Sequence, residues 1–600
     1  LLARTLSDRV KNFVSSPDFG GEWSVASTQV TFLTEQCPDP YPSIGLRTGI
    51  IRRYDPVSRG VNRRGTVDRR TFMKLSSGAA LMGAAGIGCG KGSGISMPGD
   101  LGVGAWGQVP PEYRSSVLLP GHKTPEAMLE IFCLGGVTPW ESFYTIPEYC
   151  DPTKGGDYAG QQWWNFQKAN WISVPEWFSE CGGGDRPLIE PFGLDAAGMM
   201  VNLGPFIWPL RDRPDILKRM RIWVMHHDVE PHAVAIPFAV AGHGVGNPRM
   251  AGLGTHLNRY FQDHDPSNRP EPFAYSLFMS SFDRSNNGTA SAALGLHPAS
   301  ARSTVVQLGK DPRLPKLLPR PATVGYRYEL DALVRYYAEQ FREELKVSSL
   351  GDLRNPGLKN YLFARDAMEN HEALANMLPA ELMQSEYLTM CQPDPTGPVT
   401  DIYDMLDETS TGMQLARHLI THPDTPARYV QLMDAGIFTD PQGQGYDAHA
   451  AHVLMQGPNL RHMTDKLCAI INKPGEDDPN KLDLDKHFVL INSEFGRAPY
   501  AEFTPANPNG DGTNHWPQGY VVVGFGAFAD EERSGVVGAI GENSVATYGT
   551  TPTEHRAAML LAMGVWPFTA ESFAVGDIRG VNSEIEAALK LRKEVLGYGS

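Results

Sequence analysis

The sequence predicts an α/β fold built on a mainly parallel sheet covered by helices, and three observations carry that expectation. Several short apolar runs are almost uninterrupted, each ends in a polar or glycine cluster, and stretches of helical periodicity fill the spaces between them. Strands buried on both faces read as continuous apolar runs, the pattern of a parallel sheet between helical layers. The clearest runs are Leu129–Leu134, leading into Gly135-Gly136, and Arg221–Met225, leading into His226-His227-Asp228. His487–Ile491 leads into Asn492-Ser493-Glu494, and Tyr520–Val523 into Gly524-Phe525-Gly526. In such sheets ligands bind at the carboxyl ends of strands, where these polar clusters fall.

Helical stretches come next. Tyr328–Lys346 places Leu330, Leu333, Val334, Tyr337 and Phe341 on one stripe, and Leu358–Leu378 and Thr411–Ile420 read similarly. Residues at about 328–425 are therefore expected to form a helical insertion or cap.

Composition agrees with one large globular body. Of 600 residues 41% are hydrophobic and 20% charged, which excludes a disordered chain. The 62 glycines and 47 prolines are dispersed without a period, excluding a collagen and indicating many loops. The net charge of −15 is unevenly placed: residues 1–89 carry 12 basic and 7 acidic side chains, leaving 41 against 61 in the remainder. A body that acidic disfavours nucleic acid and anionic membranes as partners. No apolar run reaches the roughly 18 residues of a transmembrane helix.

The basic leader carries an address. Asp68-Arg69-Arg70-Thr71-Phe72-Met73-Lys74, followed by the short, weakly apolar stretch 75–90, resembles a twin-arginine export signal. The other arginine pairs, Arg52-Arg53 and Arg63-Arg64, lack that sequel. The expected division is 1–60 as a leader or an extension upstream of a start near Val61 or Val67, 61–95 as the signal segment, and 96–600 as the folded body. The expected location is the periplasm or cell surface. Seven cysteines show no CxxC and no iron–sulfur spacing, which gives a redox protein no support. Cys150 and Cys181 are the pair considered for closure after export, and Cys89 lies where a lipid-attachment cysteine could stand, although Gly86 replaces the usual leucine.

Four loops collect the candidate ligands. One holds Glu141 and Ser142; a second holds His226, His227, Asp228, His232 and His243; a third, YDAHAAH, holds Asp447, His449 and His452. The fourth combines SEFGRAP, with Glu494 and Arg497, and NGDGTNHWP, with Asp511, Asn514 and His515. Mixed carboxylate and imidazole groups suit a divalent ion such as Zn²⁺ or Mn²⁺, with Mg²⁺ and Ca²⁺ as oxygen-preferring alternatives, and such an ion supports hydrolysis at neutral pH. An arginine adds a forked donor for an oxyanion. His243 among Gly242, Gly244 and Gly246 fits no dinucleotide or P-loop spacing and reads as a turn.

The order of twin-arginine signal, strand with Gly-Gly, DAH, SEFGRAP and NHWP resembles the bacterial exported family called domain of unknown function 1501, itself similar to the alkaline phosphatase and sulfatase superfamily. The resemblance spans roughly residues 68–570 and includes a closing helix at Thr553–Gly564. It implies that Glu141 and Ser142 stand where the family has Asp-Thr, a first metal ligand and a nucleophile. It also implies that Asp447 and His449 match an Asp-x-His pair, that Asn514 and His515 fall where Asp-His is expected, and that His232 matches an upstream histidine. Glu for Asp lengthens one ligand by a methylene, and Asn for Asp removes a charge, so the implied site is an altered one.

Two functions follow as expectations. The first is a metal-dependent hydrolase of phosphate or sulfate esters, small-molecule or glycan, with Glu141, His232, Asp447, His449, Asn514 and His515 as ligands, Ser142 as nucleophile and Arg497 as anion clamp. The second is a non-catalytic protein of the same fold that binds an envelope partner.

Overall fold

A computed structural model describes residues 106–149, 172–247, 249–265, 272–279, 303–309, 377–388, 391, 405–437, 445–503, 510–569 and 572–599, with single positions between 332 and 340. The chain divides after Gly94, and all described residues lie in the second unit, Ile95–Ser600. The stretches expected to be a leader, a signal segment and most of a helical insertion, with Cys89 and Cys150, lie outside them.

Eight strands form one sheet: β1 (Ala127–Cys133), β2 (Met220–Met225), β3 (Ala274–Phe278), β4 (Thr304–Gln307), β5 (Tyr429–Asp434), β6 (His487–Asn492), β7 (Tyr520–Gly526) and β8 (Gly535–Val537). Their spatial order is β8-β2-β7-β6-β1-β5-β3-β4. All neighbours are parallel except along β7, which is antiparallel to both β6 and β2. Seven strands therefore point one way, and an α/β architecture with a mostly parallel sheet stands as expected. The four runs read from the sequence are β1, β2, β6 and β7. The others were harder to read because polar residues interrupt them, such as Ser276 in β3 and Gln431 in β5.

Alternate side chains of the central strands enter opposite layers, as period-two geometry requires. Leu129, Ile131, Val489, Ile491, Val521 and Val523 join one core with residues of α3 (Glu408–Ile420) and α4 (His452–Ala469). Met128, Phe488, Leu490, Tyr520 and Val522 join another with α2 (Leu253–His264), α5 (Pro552–Ala562) and α6 (Glu584–Lys590). The remaining long helix, α1, is His232–Ala241. α3 falls within the stretch expected to be a helical insertion or cap; its Gly412 sits against Leu432 of β5, where a Cβ would come within 2.4 Å of the leucine. It is therefore a packing helix of the sheet. α5 coincides with the expected closing helix and starts with a capping box between Thr551 and Glu554.

A buried ion pair ties α5 to the middle of the sheet. Glu130 of β1 receives two bonds from Arg556, at 2.5 and 2.9 Å, one from Asn492 of β6 at 3.0 Å and one from the Tyr429 hydroxyl of β5. Arg556 also donates to the Ala239 carbonyl of α1 at 2.6 Å. Both charges are almost fully buried, at 0% and 1% exposure, so each is tolerable only because the other is present.

Cys181 pairs with Cys391, their Cα atoms 5.6 Å apart, in place of the pairing considered with Cys150. The two partners are 210 residues apart, and such a pairing is invisible in sequence spacing. Among the described residues no helix is long and apolar enough to cross a membrane.

Arg556→Met strands the Glu130 carboxylate, and a loss of about 3–5 kcal/mol is expected from urea denaturation. The double variant Glu130→Gln, Arg556→Met should recover much of that loss. A single variant as stable as wild type would remove the pair from any role in holding the sheet to α5.

Candidate metal centre

Four of the strands that point toward the site end of the sheet deliver loops there. β1 runs into Gly135-Gly136, β2 into the segment leading to His232, β5 into the loop that carries Asp447 and His449, and β6 into Ser493-Glu494. β7 runs the other way, so the chain arrives at its start through His515-Trp516. That dipeptide pairs antiparallel with Gly496-Arg497, setting Arg497 directly opposite His515.

Close backbone approach builds the centre. Gly135 has φ +110°, and a Cβ there would lie 2.2 Å from the Asp447 amide nitrogen, so only glycine lets the Asp447 loop pack against the end of β1. Tyr446 N–H donates to the Leu134 carbonyl at 3.1 Å, Thr513 N–H to Ala448 at 2.9 Å, and His452 N–H to Asp511 at 2.8 Å. These bonds hold the Asp447 loop between the end of β1 and the 511–513 segment.

The result is a group of four: His232, Asp447, His449 and His515 each bring one ligand atom within 4.8 Å of all the others. His449 Nε2 and His515 Nε2 are 3.0 Å apart and lie 3.0 and 3.1 Å from Asp447 Oδ1. His232 Nε2 is 3.2 Å from Asp447 Oδ2. Donors on a tetrahedral ion with bonds near 2.05 Å stand about 3.3 Å apart, a little wider than these four separations of 3.0 to 3.2 Å.

The outer nitrogens are also committed. His232 Nδ1 meets Glu494 Oε1 at 2.8 Å, and His449 Nδ1 meets Glu502 Oε2 at 2.6 Å. A carboxylate accepting the Nδ1 proton leaves the Nε2 lone pair facing inward, the arrangement that orients metal-ligating histidines. Glu494 Oε1 accepts from the Gly135 N–H as well, at 2.7 Å. Phe495 stacks on His515 at 4.3 Å between ring centres and limits how that ring can turn.

Arg497 completes the inner wall. Fully buried, it donates to Asp447 Oδ1 at 2.6 Å, to the Gly135 carbonyl at 3.0 Å, to the Thr513 hydroxyl at 3.2 Å and to the Thr513 carbonyl. Burial alone would raise the Asp447 pKa; the three imidazoles and Arg497 overcome it and hold the carboxyl far below its usual range. Burial pulls His232 down, but Asp447 and Glu494 outweigh it and set its pKa at about 9. His449 is raised in the same way, against burial, by Asp447 and Glu502. His515 is lowered, by burial first and then by the Arg497 charge, with Asp447 opposing.

The other residues singled out in the sequence stand elsewhere. Glu141 is fully buried outside the group of four; its Oε2 receives the Thr138 hydroxyl at 2.5 Å and faces His452 Nε2 at 3.5 Å, and its Oε1 has no hydrogen-bond partner among the described residues. Ser142 is also fully buried and gives its hydroxyl proton to the Thr138 carbonyl. Asn514 is exposed, and its side-chain oxygen accepts from the His515 N–H at 2.7 Å. Arg497, at 0% exposure, spends its donors on the protein and offers no open fork to an anion. His243 is buried beside Phe573. Glu494 and His452 were visible in the loop inventory without a role, whereas Glu502 and Thr513 carried no signal of their own.

No model of a known protein family matches the chain, and no curated protein matches it.

Metal ions and protons compete for the imidazoles, so divalent-ion affinity should rise with pH until His232 is deprotonated at about 9 and then level off. Without metal the sign reverses. A raised histidine contributes stability that is complete below its ordinary pKa of 6.5 and is lost as pH climbs through about 9. Chelator-treated protein should therefore lose urea resistance between pH 7 and 9.5 while metal-loaded protein keeps it. Parallel behaviour of the two forms would count against metal binding at these histidines.

Proposed function

We propose that the protein is an exported, metal-dependent hydrolase of phosphate or sulfate esters on an alkaline phosphatase and sulfatase-like fold. The observation that carries the metal reading is the pair of outer carboxylates, Glu494 and Glu502, which turn two imidazoles toward the same point as Asp447 and His515. Three imidazoles and one carboxylate favour Zn²⁺ or a similar transition ion over Mg²⁺ or Ca²⁺. The position at the carboxyl ends of parallel strands is where such sheets hold their ligands. Export is supported by the twin-arginine-like segment, the acidic body and the Cys181–Cys391 disulfide, since disulfides persist in oxidising compartments.

A divalent ion held there supplies Lewis-acid polarisation of an ester oxygen and a lowered water pKa. The chain's own residues do the rest. The three imidazoles and Arg497 keep Asp447 ionised, while Glu494 and Glu502 accept the Nδ1 protons of His232 and His449. The open side lies at His449, whose side chain is 37% exposed, against 17% for His232, 14% for His515 and 3% for Asp447. Substrate must approach across that face. Glu502, 18% exposed, holds the outer nitrogen of His449 on that side. With Ser142 buried and bonded to the backbone, water is the expected nucleophile.

One observation favours a second reading, a non-catalytic protein that binds an envelope partner around a structural metal. Four protein donors would be enough to fill a tetrahedral shell, and neither Ser142 nor Arg497 is presented to substrate. Turnover separates the two.

Purified full-length protein should carry about one equivalent of zinc or a related ion by elemental analysis, and Asp447→Ala should abolish it. Aryl phosphate or aryl sulfate hydrolysis should appear with metal and vanish in Asp447→Ala, while Ser142→Ala should retain activity within a few-fold. Metal without turnover would support the second reading, and a folded protein that takes up no metal would sink both.

A further inference from the structure

Behind the centre, a second polar chain runs through the interior, away from the open side. It begins at Thr138 and Glu141 in the loop after β1, crosses His452 at the start of α4 and Thr513, and ends at Arg497 on Asp447. His452, Glu141, Thr513 and Arg497 are each 0% exposed. Polar side chains buried this deeply are retained at a cost unless their bonds are satisfied in one consistent pattern.

The proton directions follow from elementary chemistry. Arg497 Nε can only donate, so the Thr513 oxygen accepts from it, at 3.2 Å. The threonine's single hydroxyl proton is then directed to its other close neighbour, His452 Nδ1 at 2.8 Å. An Nδ1 that accepts leaves the proton of a neutral imidazole on Nε2, the nitrogen that faces Glu141 Oε2 at 3.5 Å. In this tautomer the protonated nitrogen of His452 faces Glu141, the other nitrogen accepts the Thr513 hydroxyl, and that hydroxyl together with the Thr513 carbonyl holds the guanidinium that grips Asp447 Oδ1.

We propose that His452, backed by Glu141, is a positioning residue for the metal centre, fixing through Thr513 and Arg497 the direction in which Asp447 presents its carboxylate. The inference rests on the metal reading above and gives Glu141 a role that needs no contact with the ion. It also accounts for the polar face of α4 at its start: His452 and Gln456, one turn apart, both reach the loop after β1, with Gln456 accepting from the Thr138 N–H at 3.2 Å and donating to the Gly136 carbonyl at 2.8 Å.

Two isosteric logics test it. In His452→Asn an oxygen can stand in the place of Nδ1, so the acceptor for Thr513 is kept and the Glu141 contact is lost. In His452→Gln the polar groups stand near the place of Nε2, so the acceptor for Thr513 is lost. Thr513→Val removes the hydroxyl at nearly constant volume, and Thr513→Ser keeps it. Zn²⁺ affinity of the full chain is measured by competition with a chromophoric chelator, and folding is checked by urea denaturation in excess chelator. Loss of an outer-shell partner weakens metal affinity by about 10–100-fold, and a loss in that range is expected for His452→Gln and Thr513→Val. His452→Asn and Thr513→Ser should stay within about 3-fold of wild type on the same scale.

A purely packing role would make the two His452 variants alike and would not distinguish valine from serine at 513; either result overturns the inference. Should His452→Gln fail to fold, the Thr513 pair decides alone. Wild-type protein that binds no Zn²⁺ overturns the metal reading and this inference with it. Wild-type binding with unchanged variants overturns this inference only.

Discussion

The grip of Arg497 on Asp447 is the constraint around which the site is built. A carboxylate 3% exposed and a guanidinium with no exposure could not remain charged apart from each other, and either alone would be a heavy burden on the fold. Their union dictates much of the neighbourhood. Glycine is required at 135 because the Asp447 loop must come close enough for the contact, and the short ladder between 496–497 and 515–516 fixes where the guanidinium starts. Once paired, Asp447 still has both oxygens within reach of imidazoles, Oδ1 toward His449 and His515 and Oδ2 toward His232. One ion pair thus serves as a structural anchor on its inner side and as a gathering point for histidines on its outer side.

The sheet supports this arrangement by carrying charge on its opposite layer as well. Glu130 lies on the strand that ends at Gly135-Gly136, and its bonds reach β5, β6 and α5 together. Those two neighbouring strands lead to the Asp447 loop and to Glu494. The buried pair below and the buried pair above therefore act on the same three central strands, one holding their middles in register against α5, the other holding their ends together.

Legibility from sequence followed physical range. The strands β1, β2, β6 and β7 announced themselves because uninterrupted apolar runs have one good explanation, and the polar residues that end them pointed to the site end of the sheet. His232, Asp447, His449 and His515 could be named because imidazoles and carboxylates clustered in loops after buried strands are unusual. Glu502 could not, because an acid 53 residues beyond His449 becomes its partner only through the fold. Thr513 has the same difficulty: a hydroxyl between two glycine-rich turns looks like any loop threonine until Arg497 and His452 arrive on either side. The family resemblance implied ligand roles for Glu141 and Asn514, but the backbone turns the first inward toward His452 and leaves the second exposed. β3, β5 and the Cys181–Cys391 pairing depend on neighbours far along the chain and leave no local periodicity to read.

The reversed direction of β7 gathers part of the site onto one excursion of the chain. Because β6 and β7 are antiparallel, the chain between Asn492 and Tyr520 leaves and re-enters the sheet at the same end and needs no crossover helix. Glu494, Arg497, Glu502, Thr513 and His515 all lie on that single excursion. A substantial part of the centre's chemistry is thereby encoded in one contiguous stretch of gene, bounded by two paired strands. A change within that stretch therefore alters side chains at the site while leaving the order and direction of the strands as they are.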